Sequence, residues 1–159
     1  MKLDLIAKEN SAKSKMIYHE DTGALHINTR EDHCYFIPFA KGQDPFQDRY
    51  MSSKVELLNG DWGFCYYDSV IDLEDDFTEV MPVNTFPVPA NWQLYGYDKP
   101  QYTNINYPFM YDPPYVPDDT PVGVYSREYM YIPDGLERYL VFEGVDSCLY
   151  LYINDEFVG

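Results

Sequence analysis

The sequence predicts an all-β fold, a β-sandwich or jelly roll, on three observations. Aromatic residues make up 18% of the 159-residue chain, with 17 Tyr and 9 Phe, a composition suited to pleated sheet and far from that of disordered chains. Strand-forming runs in the last third are separated by turn signals. No stretch sustains the 3.6-residue apolar period of a helix, and no internal repeat is present. The length fits one domain of ordinary size.

Residues 1–50 read as an N-terminal arm with extended segments. Its first 23 residues are polar and mixed in charge, holding four of the chain's 11 basic residues in Lys2, Lys8, Lys13 and Lys15, which suggests a loosely held arm. Leu25, Ile27 and the run Tyr35–Phe39 look extended. Pro38 demotes that second run to an edge or an irregular segment docked on a neighbour.

Residues 51–159 form the domain proper. In Lys54–Tyr67 the pair Asn59-Gly60 separates two strand-forming runs, predicting two strands joined by a turn that needs positive φ. The acidic stretch Asp72–Phe77 reads as a solvated loop, because it lacks the glycine-punctuated spacing of a calcium loop. Residues Met81–Pro121 hold nine of the twelve prolines. Each proline forbids regular helix and removes a ladder donor, so this region is expected to consist of long ordered loops linking short strands, the kind that carry function.

In the last third, Val124–Ile132, Arg138–Phe142 and Cys148–Ile153 predict three antiparallel strands. The turns between and after them are Pro133-Asp134-Gly135, Gly144-Val145-Asp146 and Asn154-Asp155. The strand after Asn154-Asp155 stops at Gly159, so the sheet is expected to be incomplete at its C-terminus. Unpaired backbone on such an edge favours low stability or edge-to-edge pairing of two copies.

Acidic residues outnumber basic ones 27 to 11, a net charge of -16. That field repels phosphate backbones and anionic lipids, so neither nucleic acid nor membrane is expected as a partner. No run approaches the roughly 20 apolar residues of a membrane helix, and the opening residues lack the apolar core of a signal peptide. A cytoplasmic location is expected. Cys34, Cys65 and Cys148 are far apart, with no Cys-x-x-Cys pair, and read as buried free thiols.

Catalysis finds little support. His19, His26 and His33 all fall in the arm, away from any nucleophile or fourth metal ligand. Acid pairs such as Glu143 with Asp146, or Asp118 with Asp119, lie where nothing would push their pKa values apart. No catalytic residue, metal or cofactor is therefore assigned to this chain. A binding role has more to recommend it. Aromatic faces stack on the apolar faces of sugar rings, and an Asn amide donates and accepts as a hydroxyl does, so Trp92, Tyr102, Asn104 and Tyr107 form a candidate polyol-binding group. Structural roles compete: Trp92 could be a packing anchor, and Asn104 could bond its own backbone in a turn.

Specific motifs narrow the field. Leu58-Asn59-Gly60-Asp61-Trp62-Gly63-Phe64, Val88-Pro89-Ala90-Asn91-Trp92-Gln93 and the run Gly96–Pro108 with Tyr102-Thr103-Asn104 resemble the family 2 β-galactosidases. The likeness continues through Asp112–Pro117, Pro121–Ser126, Phe142–Ser147 and Tyr152–Gly159, covering roughly residues 29 to 159. Tyr-Thr-Asn and Asn-Trp-Gln favour a galactosidase over sibling glucuronidases or mannosidases.

The resemblance implies a galactose-binding-like jelly roll, the first domain of a large enzyme. An immunoglobulin-like domain and a barrel holding two catalytic glutamates would follow. It implies retaining hydrolysis of terminal β-D-galactosides such as lactose, magnesium and sodium ions in the parent enzyme, contacts with its remaining domains, and homo-oligomerisation. It places Asn104 in the galactose pocket, with Tyr102 and Ile105 shaping its edge. The isolated 159-residue chain is expected to be inactive. The alternatives are a stand-alone carbohydrate-binding module or a structural assembly domain.

Overall fold

A computed structural model describes residues 18–159. Among them the regular elements are short strands and 3-10 turns, with no α-helix, an all-β chain as the aromatic content and the missing helical period suggest. Strands β1 (Gly60–Tyr67), β2 (Asn84–Val88) and β3 (Val122–Ser126) form one antiparallel sheet in the order β2-β1-β3. A second, two-stranded sheet pairs β4 (Tyr152–Ile153) with β5 (Glu156–Phe157). Pro87 fits because β2 is an edge strand, where a missing ladder donor can face away from the sheet.

Side chains alternate between the two faces of a strand, and here both faces of β1 are covered. On one face Phe64 is fully buried and Phe86 nearly so. The Phe64 ring centroid lies 4.9 Å from Phe86, 4.7 Å from Tyr125 and 5.1 Å from Tyr97. On the other face Cys65 and Tyr67 stand beside Val124 and Val122 in register. Leu73 and Phe77 from the acidic stretch close this face together with Tyr152 of β4. The stretch is thus solvated on its acidic side and anchored by its two apolar residues.

Trp92 is the packing anchor of the aromatic face. It opens a 3-10 turn, Trp92–Tyr95, with its ring 5.5 Å from Tyr66 and 6.5 Å from Phe64. Gly123, opposite Tyr66 in the ladder, makes room for it: a Cβ there would lie 2.4 Å from Trp92 Cζ3 and 2.9 Å from Phe64 Cε2. The indole N–H is buried without a partner, so packing alone holds the ring.

Several expectations are corrected. Asn59-Gly60 does not join two strands. Gly60, at φ 124°, begins β1, while the Leu58 carbonyl accepts from Trp62 Nε1 (2.7 Å) and Arg127 Nη1 (2.6 Å) and the Asn59 carbonyl accepts from Arg127 (3.0 Å). With those acceptors taken by side chains, residues 54–59 build no ladder. Of the three strands expected in the last third, the first shortens to β3, the second is absent and the third shrinks to β4. The Pro133-Asp134-Gly135 turn still forms, since Asp134 Oδ1 accepts from Leu136 N and Gly135 takes φ 77°. Its flanks meet through side chains, with the Arg138 guanidinium over the Tyr131 ring, rather than through backbone pairing.

The Asn154-Asp155 hairpin does form, both residues at positive φ, as a two-residue hairpin loop requires. Leu151 N donates to Gly159 O and Val158 N to Leu151 O. Only Cys65 is a buried thiol; Cys34 and Cys148 are exposed, because they lie in irregular segments rather than in the packed sheet. Residues 1–17 of the arm lie outside the described residues. Its next part is firmly held: Tyr18–Glu20 form a 3-10 turn, and the Tyr18 ring stacks on Phe157 at 5.5 Å and Tyr150 at 6.5 Å.

Two outcomes follow. Gly123→Ala should destabilise the chain by about 1–3 kcal/mol, the usual cost of overpacking, read as a lower urea midpoint at unchanged slope; a neutral result would mean that Trp92 does not rest on Gly123. Burial first, then the bond to Glu74, pushes the Tyr67 phenol up to about 12, and burial does the same for Tyr152. Above pH 10 the unfolded phenols ionise while the folded ones stay neutral, so this contribution to stability is intact below pH 10 and lost as pH rises through about 12. The urea midpoint should fall across that interval, and less steeply in a Tyr67→Phe, Tyr152→Phe double variant.

Candidate functional site

The proline-rich region leaves β2, makes the Trp92 turn and then runs as an exposed arch from Lys99 to Pro113 before returning to β3. At its first foot the turn ends at Gly96 in the left-handed region, φ 91°. The N–H groups of Gly96 and Tyr97 both turn back to the Trp92 carbonyl, a capping arrangement that glycine adopts without steric penalty. Tyr97 packs on Phe64 and Tyr66, and its hydroxyl accepts from Asn84 Nδ2 at 3.4 Å. The second foot, residues 116–120, is tied by Val70 N to Thr120 O (2.9 Å) and Ser69 Oγ to Asp118 O (2.5 Å).

The sequence-derived site residues ride between these feet. Tyr102 and Ile105 are each 82% exposed, and Asn104 is exposed beside them. Among the described residues nothing takes up the Asn104 amide, so the competing role, a bond to its own backbone in a turn, is not seen. The rings of Tyr107 and Tyr111 lie 5.5 Å apart on the same arch. Trp92 is not with this group, being packed against the sheet. The arch is therefore a loop tied at both feet that offers phenol faces, an apolar side chain and the unengaged amides of Gln101, Asn104 and Asn106.

Glu143 is bound at both oxygens by Arg49 Nη2, at 2.5 and 2.6 Å, and accepts from Tyr35 Oη. The Arg49 bond first, and the Tyr35 bond second, hold its carboxyl below the usual range, so it stays ionised and cannot serve as a general acid near neutral pH. His19 Nδ1 lies 2.7 Å from Tyr150 Oη. Among the described residues no group of three His, Cys, Asp or Glu side chains converges. No helix among the described residues is long and apolar enough to cross a membrane.

Sequence reasoning missed Ser69, which bonds the Asp118 carbonyl, and Gly123, which admits the Trp92 ring. Their spacing along the chain carries no signal, because each acts across a long sequence separation.

The structure defines the class of the chain as an all-β domain with a long exposed loop between β2 and β3. Comparison with known families makes this specific: residues 55–159 match the family described as glycosyl hydrolases family 2, sugar binding domain, and the chain belongs to that family. It is 47% identical over 143 residues to a β-galactosidase of Actinobacillus pleuropneumoniae, a match covering 89% of this chain and 14% of that protein. A β-galactosidase of Staphylococcus xylosus is 39% identical over 91% of this chain and 15% of its own length. One from Yersinia enterocolitica is 40% identical over 93% and 15%. The chain thus spans about a seventh of the length of these relatives.

Gly96→Ala tests the first foot. An added Cβ would meet nothing within 4 Å, so the cost is backbone strain alone, about 1–2 kcal/mol for a left-handed position. Amide exchange at Gly96 and Tyr97, whose N–H groups donate to the Trp92 carbonyl, should accelerate with it; exchange matching the parent chain would show that this foot does not depend on the cap.

Proposed function

We propose that this chain is the sugar-binding domain of a β-galactosidase that hydrolyses terminal β-D-galactosides such as lactose with retention. What carries the reading is the identity of 39–47% to proteins named β-galactosidase over about nine-tenths of this chain. In it, the domain occupies residues 51–159 and completes a jelly-roll sandwich with further strands of the longer polypeptide. The N-terminal arm, residues 1–50, lies beside it. The enzyme is cytoplasmic and homo-oligomeric, and magnesium and sodium are held by its other domains.

The role of this chain's residues in that reaction is binding and orientation. Asn104 donates to one galactose hydroxyl and accepts from another. Tyr102 lends a flat face to the sugar ring, and Ile105 closes the apolar edge of the pocket. Retention needs two carboxyl groups about 5 Å apart, one protonated and one ionised. In this reading both come from the barrel of the parent enzyme, and the 159-residue chain alone is silent.

Asn104→Ala, made in the galactosidase polypeptide that carries this sequence, should lower kcat/KM for a chromogenic β-galactoside about 10-fold, the order expected for one or two lost polar contacts. Unchanged kinetics would remove Asn104 from the site. A parent polypeptide without activity on any β-galactoside would sink the enzymatic reading as a whole.

A further inference from the structure

We propose that Glu20 is a positioning residue for the sugar-contacting arch, acting from the N-terminal segment through the second foot. The Glu20 carboxylate accepts from the backbone N–H of Val116 at 3.0 Å, a partly buried contact between residues 96 positions apart. Val116 lies just after the exposed arch, three residues beyond Pro113, and precedes the contacts that Ser69 and Val70 make with Asp118 and Thr120. A hydrogen bond to a charged acceptor is stronger than a neutral one, so this contact fixes where the returning chain leaves the arch.

The segment that carries Glu20 is itself clamped. Tyr18 stacks on Phe157 and Tyr150. The His19 backbone N–H donates to Tyr150 Oη at 2.9 Å, and Tyr150 flanks the β4–β5 hairpin. Further along, Asn28 Nδ2 donates to the Val158 carbonyl at 2.5 Å. Residues 18–28 therefore form a strap with one edge on the terminal hairpin and the Glu20 side chain on the second foot. The hairpin holds the strap, and the strap holds the second foot.

The proposal rests on the reading that Asn104 contacts the sugar. A loosened second foot leaves Asn104 chemically intact but spreads its positions, so binding weakens while the reacting groups elsewhere are untouched. The effect should fall on KM rather than kcat.

The test uses Glu20→Ala, Glu20→Gln, Asn104→Ala and the Glu20→Ala, Asn104→Ala pair in the galactosidase polypeptide that carries this sequence. Expected is a rise in KM of about 3- to 10-fold for Glu20→Ala with kcat nearly unchanged. Glu20→Gln should stay within about twofold, since its amide oxygen still accepts from Val116. The double variant should be no worse than Asn104→Ala, because both act through one contact. A KM unmoved by Glu20→Ala, or effects that multiply in the double variant, would overturn the proposal.

Should Asn104→Ala itself be without effect, the pocket reading fails, and the strap is judged separately by amide exchange in the 159-residue chain. Lost protection of Val116 in Glu20→Ala but not in Glu20→Gln supports the strap. Equal protection in all three chains overturns it.

Discussion

The contact on which the rest depends is the Trp92 ring lying over Gly123. A β-sheet face rich in Phe and Tyr is stable only if something covers it, and here the cover is a loop rather than a second sheet. Gly123 permits the close approach, Trp92 fills the space over Phe64 and Tyr66, and Tyr95 and Tyr97 complete the layer against Phe86 and Phe64. Because the same turn starts the arch, the packing of the core also sets where the candidate sugar-contacting residues begin.

Away from this sheet the chain is held differently. Residues 127–149 form no ladder and meet the rest of the molecule through side chains, such as Arg127 on the Leu58 and Asn59 carbonyls, Tyr129 on Glu56 and Glu143 on Arg49. Exposed pairs of this kind contribute little to stability each, in contrast to the closely packed rings around Phe64. The structure thus divides into a packed, two-faced sheet and a rim stitched by polar contacts. The arch is joined to the former at one foot and to a strap of the N-terminal segment near the other.

Much of this was legible in the sequence. The aromatic content marks a sheet protein, the prolines between Met81 and Pro121 mark long loops, and Asn154-Asp155 marks a hairpin that forms. The Tyr-Thr-Asn motif identifies the arch as the place to look, and the structure leaves the Asn104 amide exposed and unengaged there. The Asn59-Gly60 pair misleads because local turn chemistry says nothing about whether the flanking carbonyls are free to pair. The expected strands Val124–Ile132, beyond Ser126, and Arg138–Phe142 mislead for a related reason: alternation shows which side chains share a face of a strand, but a strand also needs a neighbour.

What the sequence determined by itself is what short-range chemistry can determine, an all-β chain with a long loop-rich stretch, while its motifs carried the family. The tertiary structure alone decided which face of β1 takes the aromatic layer, that Trp92 serves packing while Asn104 stays exposed, and that Glu20 reaches Val116. Those outcomes depend on contacts between residues tens of positions apart. Their geometry follows from how the sheet closes, and no local pattern encodes it.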